Sequence, residues 1–223
     1  MLKRAPSTRT AARGWVAGQA GYTLIEIALV LVIVALFLGG VFVSVTAVME
    51  NAKTASLLGQ IKDLAGAARD FKSRYGYFPG DLPNAASILT ADGGVSAGCS
   101  YAAATPVANG IVDSETERAC ALEHLVKARL LSKVELRGST YVIAQPFGGG
   151  EVTLGVIAAT RENAVRVTNL PCRVALQIDG KLDNASATPL SSGTVLGTDG
   201  TDLIAACTAG GANDPVPVLL VRY

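Results

Sequence analysis

Charge is scarce in this sequence: Asp, Glu, Lys and Arg make up 17% of its 223 residues, while 50% are hydrophobic. That balance excludes an intrinsically disordered chain, which combines low hydrophobicity with high charge. Histidine occurs once, as His124, so a metal site built on several histidines is excluded. The only tryptophan, Trp15, lies close to the N-terminus, and the core of the body must be built from Val, Leu, Ala and a few Phe and Tyr. Cys99, Cys120, Cys172 and Cys207 include no close CxxC pair of the kind that binds zinc or runs thiol redox chemistry. No Gly-Lys-Ser or Gly-Lys-Thr follows Gly148-Gly149-Gly150, which removes a P-loop, and no serine stands in a Gly-x-Ser-x-Gly setting. The basic residues of the body form no run interleaved with aromatics, so nucleic acid is not an expected partner. Asp179, Asp183, Asp199, Asp202 and Asp214 have the oxygen chemistry for calcium, but their spacing matches no calcium loop, and solvated loop acids are the expectation. No catalytic residue, cofactor or metal site is therefore expected, and internal repeats are not evident.

Acid is missing from residues 1 to 21, which carry Lys3, Arg4, Arg9 and Arg13. The rest of the chain holds 15 of the 19 bases against all 18 acids, so the overall charge of +1 conceals a basic leader and a mildly acidic body. Charge is missing again from residues 27 to 49, a run long enough to cross a bilayer as a helix. A basic excess just before such a run predicts that the N-terminus stays in the cytoplasm and the bulk of the chain is exported. Export brings the four cysteines to a compartment where disulfides form, and their even number fits two bridges.

The order of these signals is unusual. An ordinary secretory signal places its small-residue cleavage site after the apolar stretch. Here the junction Gly21-Tyr22-Thr23-Leu24-Ile25-Glu26 precedes it, so cutting there removes the leader and leaves the hydrophobic segment on the mature chain. Glu26 is the only charged residue from Tyr22 to Val45, and a carboxylate near the bilayer interior is unfavourable by about 3 kcal/mol on insertion scales, which makes it a functional candidate. Cleavage frees the amine of Tyr22, which a helix places about one turn from Glu26, or within reach of Glu26 on a neighbouring helix. Mutual neutralisation of ammonium and carboxylate favours side-by-side assembly of identical helices.

This junction and its apolar run resemble, over residues 13 to 45, the class III signal of type IV pilins and type II secretion pseudopilins. The resemblance implies cleavage after Gly21 by prepilin peptidase, methylation of the new N-terminus at Tyr22, and a subunit-contact role for Glu26. It also implies a single-pass location in the bacterial inner membrane, with the C-terminal head in the periplasm. The implied partners are the membrane, other pilin or pseudopilin subunits and an inner-membrane assembly platform. Two departures from the family pattern stand out. Tyr22 replaces the more usual Phe, and Val43 stands where many major subunits carry a helix-interrupting proline, which favours a minor subunit. A simple signal anchor is the plainer alternative, with Glu26 tolerated near the membrane face and the head acting as a periplasmic binding module or enzyme.

Beyond Glu50, Leu57, Ile61, Leu64, Ala68, Phe71 and Tyr75 recur at steps of four and three, one helical stripe that Gly76 and Pro79 bring to a stop. The expected organisation is a leader at 1–21, a helix at 22–75 whose first half, 22–45, is transmembrane, and a head at 76–223. A continuous helix of that length spans about 80 Å. The fold class expected is α+β: a long N-terminal helix, membrane half plus amphipathic half, packed on a C-terminal antiparallel sheet. The segment Tyr75-Gly76-Tyr77-Phe78-Pro79-Gly80-Asp81 reads as successive turns, with Asp81 bonding nearby amides, and is also similar to pseudopilin-like proteins.

Residues 91 to 113 read as a surface loop containing Cys99. Ser114-Glu115-Thr116-Glu117 matches a capping box and opens a helix to about Ser132, with Leu122, Leu125, Val126 and Arg129 on its partly buried face and His124 expected at the surface. Strands are expected at 140–144, 152–158, 164–168 and 216–222, with glycine and Arg161-Glu162-Asn163 turns between the first three. Asn169-Leu170-Pro171 opens a further helix bearing Val174, Ala175, Ile178 and Leu182, although Val174, Leu176 and Ile178 also alternate as a strand would, and 183–213 reads as loop. Sequence proximity favours a Cys99–Cys120 bridge. Cys172 and Cys207 would join the later helix to the late loop, although four cysteines permit three connectivities.

Overall fold

A computed structural model describes residues 21–101, 108–183, 193–197, 207 and 214–223, with backbone alone for 39–45 and 92. Residues 1–20, with Trp15 and the four basic residues of the expected leader, lie outside the described residues. The chain divides into two compact units, Met1–Ala47 and Val48–Tyr223. Helix α1, Leu24–Tyr75, contributes residues to both.

In the first unit the described side chains of α1 are exposed, Leu24 at 91%, with Leu36 and Phe37 also prominent. Among the described residues no helix is long and apolar enough to cross a membrane. Residues 39–45, inside the apolar run, have no described side chains.

The second unit is α+β. Its helices are the last part of α1, α2 (Ala85–Ile88), α3 (Glu115–Lys127) and α4 (Cys172–Leu182). Its strands are β1 (Glu135–Arg137), β2 (Thr140–Ala144), β3 (Glu151–Ile157), β4 (Glu162–Pro171), β5 (Val195–Gly197) and β6 (Pro215–Arg222). They form one antiparallel sheet in the order β1-β2-β3-β4-β6-β5. β2, β3 and β4 are the expected meander; β6 then inserts beside β4, pairing Val167 with Leu219.

Period-two alternation sorts the sheet residues. Val165, Val167, Leu219 and Val221 face the main core, while Ala164, Val218 and Leu220 join Ile157 in a smaller cluster. Against the main face lies the stripe read from the sequence: Leu57, Ile61, Leu64, Ala68 and Phe71 are buried together with Leu122 and Leu125 of α3 and Val174, Ala175 and Ile178 of α4. Polar ties fix the register of this half of α1. Gln60 donates to the Ala144 carbonyl at 3.2 Å, the Thr54 hydroxyl meets Gln177 at 3.3 Å, and Glu50 pairs with Arg173 at 2.7 Å.

Local chemistry sets the element ends. Gly76, at φ +80°, terminates α1. The capping box forms: the Glu117 amide donates to Ser114 Oγ at 3.1 Å, and the Glu117 carboxylate accepts the Ser114 and Asp113 amides at 2.9 Å. In the β2–β3 turn, Gln145 is buried and bonds the turn's own backbone, donating to Gly148 O at 2.9 Å and accepting from Phe147 N at 2.8 Å. Gly150 is required there, because a Cβ would collide with the Thr168 carbonyl oxygen.

Several boundaries differ from the sequence expectations. α3 stops at Lys127 rather than near Ser132, because Arg129 turns to φ +57° and is exposed instead of joining the buried face. Glu162 and Asn163 belong to β4, not to the preceding turn, and Asn169 and Leu170 extend that strand directly into α4. β1 and β5, three residues each, were not expected. The loop at 91–113 is not wholly superficial: Cys99 and Val112 are buried.

Candidate functional site

The residues singled out for processing and assembly sit at the start of α1. Gly21, Tyr22 and Thr23 precede the helix in non-helical backbone, and Tyr22 is 77% exposed. Thr23 begins the helix: its carbonyl accepts the Glu26 amide at 3.1 Å and the Ile27 amide at 3.2 Å, and its hydroxyl lies 3.4 Å from the Glu26 amide. Glu26 therefore falls in the first turn, where a carboxylate is favoured by the free amides of a helix N-terminus. Its side chain is exposed among apolar neighbours. An accessible Gly21-Tyr22 bond, a carboxylate one turn on and an uncovered apolar helix thus occur together.

The cysteines form two disulfides, Cys99–Cys120 and Cys172–Cys207, with Cα separations of 5.2 and 5.6 Å. The first pins the 3₁₀ turn Ala97–Cys99 to α3, and the second ties the start of α4 to Cys207. All four cysteines are thereby removed from thiol chemistry.

His124 overturns the expectation of a surface residue. It is fully buried on α3 between the Gly80 amide, 3.0 Å from Nδ1, and the Cys99 carbonyl, 2.8 Å from Nε2. The Phe71 ring of α1 lies stacked beside it at 6.1 Å. The sequence signal for burial was the position of His124 beside Leu125 and one turn after Cys120 and Ala121, all on the inward face.

Asp81 is equally buried, but its partners are not the adjacent turn amides expected from the sequence. The carboxylate accepts the amides of Ala108, of Asn109 at 3.1 Å and of Gly110 at 2.8 Å. Burial pushes its pKa up, against these bonds, and nearby Asp113 adds to the rise. Glu123 is spent on Ser96, whose hydroxyl donates at 2.8 Å and whose amide also donates. These buried polar groups are satisfied internally: His124 and Glu123 bind neighbouring loops to α3, and Asp81 binds its own turn to residues 108–110, which is structural chemistry.

Among the described residues no group of three or more His, Cys, Asp or Glu side chains is arranged to hold a metal ion. Of the acids considered for calcium, Asp199 and Asp202 lie outside the described residues. Asp183 accepts the amides of Thr194 and Val195 at 2.8 and 2.9 Å; burial raises its pKa, but these bonds and Arg222 outweigh that and lower it overall. A groove of about 490 Å³ runs between α3 and the sheet, lined by Glu115, Arg118, Tyr141, Glu151 and Arg166 among others. Its charges are of both signs, and Arg118 is engaged with the Asp113 carbonyl at 2.8 Å.

No protein-family model matches this chain, and neither the curated proteins nor the solved structures provide a match.

Proposed function

We propose that this protein is a structural subunit of a type II secretion pseudopilus or a related type IV filament, a minor subunit cut after Gly21 by prepilin peptidase. The observation that carries this reading is the order of signals: a basic leader, then Gly21-Tyr22 at the mouth of a helix, then Glu26 in its first turn, then the uncharged run to Met49. Exposure of Tyr22, Glu26 and the apolar side chains that follow supports it. In this reading the N-terminal helix stays in the inner membrane after cleavage, and its amphipathic continuation carries the pilin-like head in the periplasm. Helices of neighbouring subunits pack into a filament core, with Glu26 setting register against the Tyr22 amine of the next subunit. The two disulfides suit an oxidising compartment.

The test is the intact mass and N-terminal sequence of the membrane-extracted protein, from cells with and without active prepilin peptidase. A chain that begins at Tyr22 only when the peptidase is active, with or without one added methyl group, supports the reading. A chain intact from Met1, or cut beyond the apolar run, overturns it and favours a signal-anchored module acting through its head.

A further inference from the structure

Two bonds of opposite sense define the protonation of His124. A backbone N–H can only donate, so the Gly80 amide requires a lone pair on Nδ1; a carbonyl can only accept, so Cys99 O requires a proton on Nε2. The ring is therefore neutral, and the tautomer follows from its two partners. A second proton, on Nδ1, would point at the Gly80 N–H with nothing to accept it. Gly80 itself is wedged closely on α3: it holds φ +92°, and a Cβ there would collide with the Glu117 carbonyl oxygen. Protonation must therefore separate Gly80 from the ring.

We propose that His124 is a proton-operated latch, whose protonation releases the Gly76–Asn84 turn from α3 while the sheet stays folded. The turn's other ties to the rest of the head are Asp81 on the amides of Ala108, Asn109 and Gly110, buried Pro79 and Leu82, the Phe78 ring on the main core with Lys72 of α1 over it at 4.2 Å, and, at its far end, the Asn84 amide on the Tyr101 carbonyl at 2.7 Å beside a Pro83–Tyr101 bridge. Displacement of Gly80 pulls directly on Asp81, the next residue.

Burial holds the His124 pKa below its ordinary value, while the Cys99 carbonyl and the Glu123 carboxylate act in the opposite direction. The sign follows. Between the lowered pKa and about 6.5, the unfolded chain binds a proton that the native ring does not, so the stabilisation is complete above that range and is lost as pH falls through it. Glu117, Glu123 and Lys127 lie on α3 with the ring and Asp81 follows Gly80; of these the Glu123 carboxylate acts on the imidazole. On α1, Lys72 faces Phe78 and Arg74 reaches the Ala128 carbonyl at 3.5 Å. Glu123 and Asp81 direct their carboxylates at Ser96 and at the 108–110 amides. Burial raises the pKa values of Asp81 and Glu117, so these groups favour the fold as acid protonates them, opposite in sign to His124.

Because the chain has one histidine, ¹⁵N-histidine labelling of the full-length protein gives a single imidazole to follow. The expected result is an Nε2–H neutral ring at pH 7.5. Between about pH 6.5 and the ring's own lowered pKa, the protection of the Gly80 amide should fall about tenfold per pH unit while the amides of Val165, Val167 and Leu219 remain protected. His124→Gln, which keeps a neutral acceptor and donor, should flatten the pH dependence at Gly80. The latch is refuted if the ring stays neutral and Gly80 protected until the sheet amides themselves exchange, or if the ring protonates without change at Gly80. Wild-type pH dependence in the variant overturns it as well, assigning the effect to a carboxylate. Should the variant fail to fold, the wild-type titration alone decides.

Discussion

Replacing Cys99 and Cys120 together by serine opens a loop whose ends are 21 residues apart in sequence. Treated as loop-closure entropy of the unfolded chain, the bridge contributes about 3.3 kcal/mol at 25 °C. The native state is expected to change little without it, because the segment keeps two other anchors: Cys99 O on His124 and Ser96 on Glu123. Two buried hydroxyls in place of sulfur add about 1 kcal/mol of polar burial, giving a loss of about 4 kcal/mol. For a unit of this size that corresponds to a fall in Tm of about 8–16 °C. Urea unfolding of the purified full chain, followed by far-UV circular dichroism, measures the difference; the slope should rise modestly as the denatured state expands. A loss below about 1 kcal/mol would refute the reasoning, since it would mean the unfolded chain is already constrained across this loop.

Other perturbations probe separate links. Phe71→Ala removes a fully buried ring from the junction of α1 and His124 and should destabilise the head by about 3–5 kcal/mol in the same assay. Gly80→Ala forces a side chain into positive φ against the Glu117 carbonyl and should lower stability by about 2 kcal/mol or more; an unchanged midpoint would show that the turn relaxes freely. Glu26→Ala should block filament assembly while leaving membrane insertion intact, read by fractionation and by recovery of sheared filaments. Normal incorporation of that variant removes its proposed role in register.

Much of the head was legible because its signals are local. The steps of four and three from Leu57 to Phe71 mark a buried stripe wherever that helix docks, and Ser114 with Glu117 caps its helix using atoms three residues apart. Glycine at 148–150 marks the hairpin between β2 and β3 for the same reason, a constraint of backbone geometry. The misses share the opposite character. β1 and β5 are too short to carry a period, and their hydrogen bonds come from partners chosen by the sheet. Arg129 sits at a helical spacing, yet the chain leaves the helix before reaching it.

By itself the sequence determined the distribution of charge, the uncharged run with Glu26 at its head, the Gly21-Tyr22 junction and the inward stripe of α1, since each depends on residue type and spacing alone. Only the tertiary structure decided the burial of His124 and Asp81. Nothing within a few residues of either satisfies its polar atoms: the amide of Gly80 lies 44 positions from His124, the Cys99 carbonyl 25, and the amides on Asp81 27 to 29. A polar side chain goes inside when distant backbone groups replace its water, and that match exists only once the loops have been brought together.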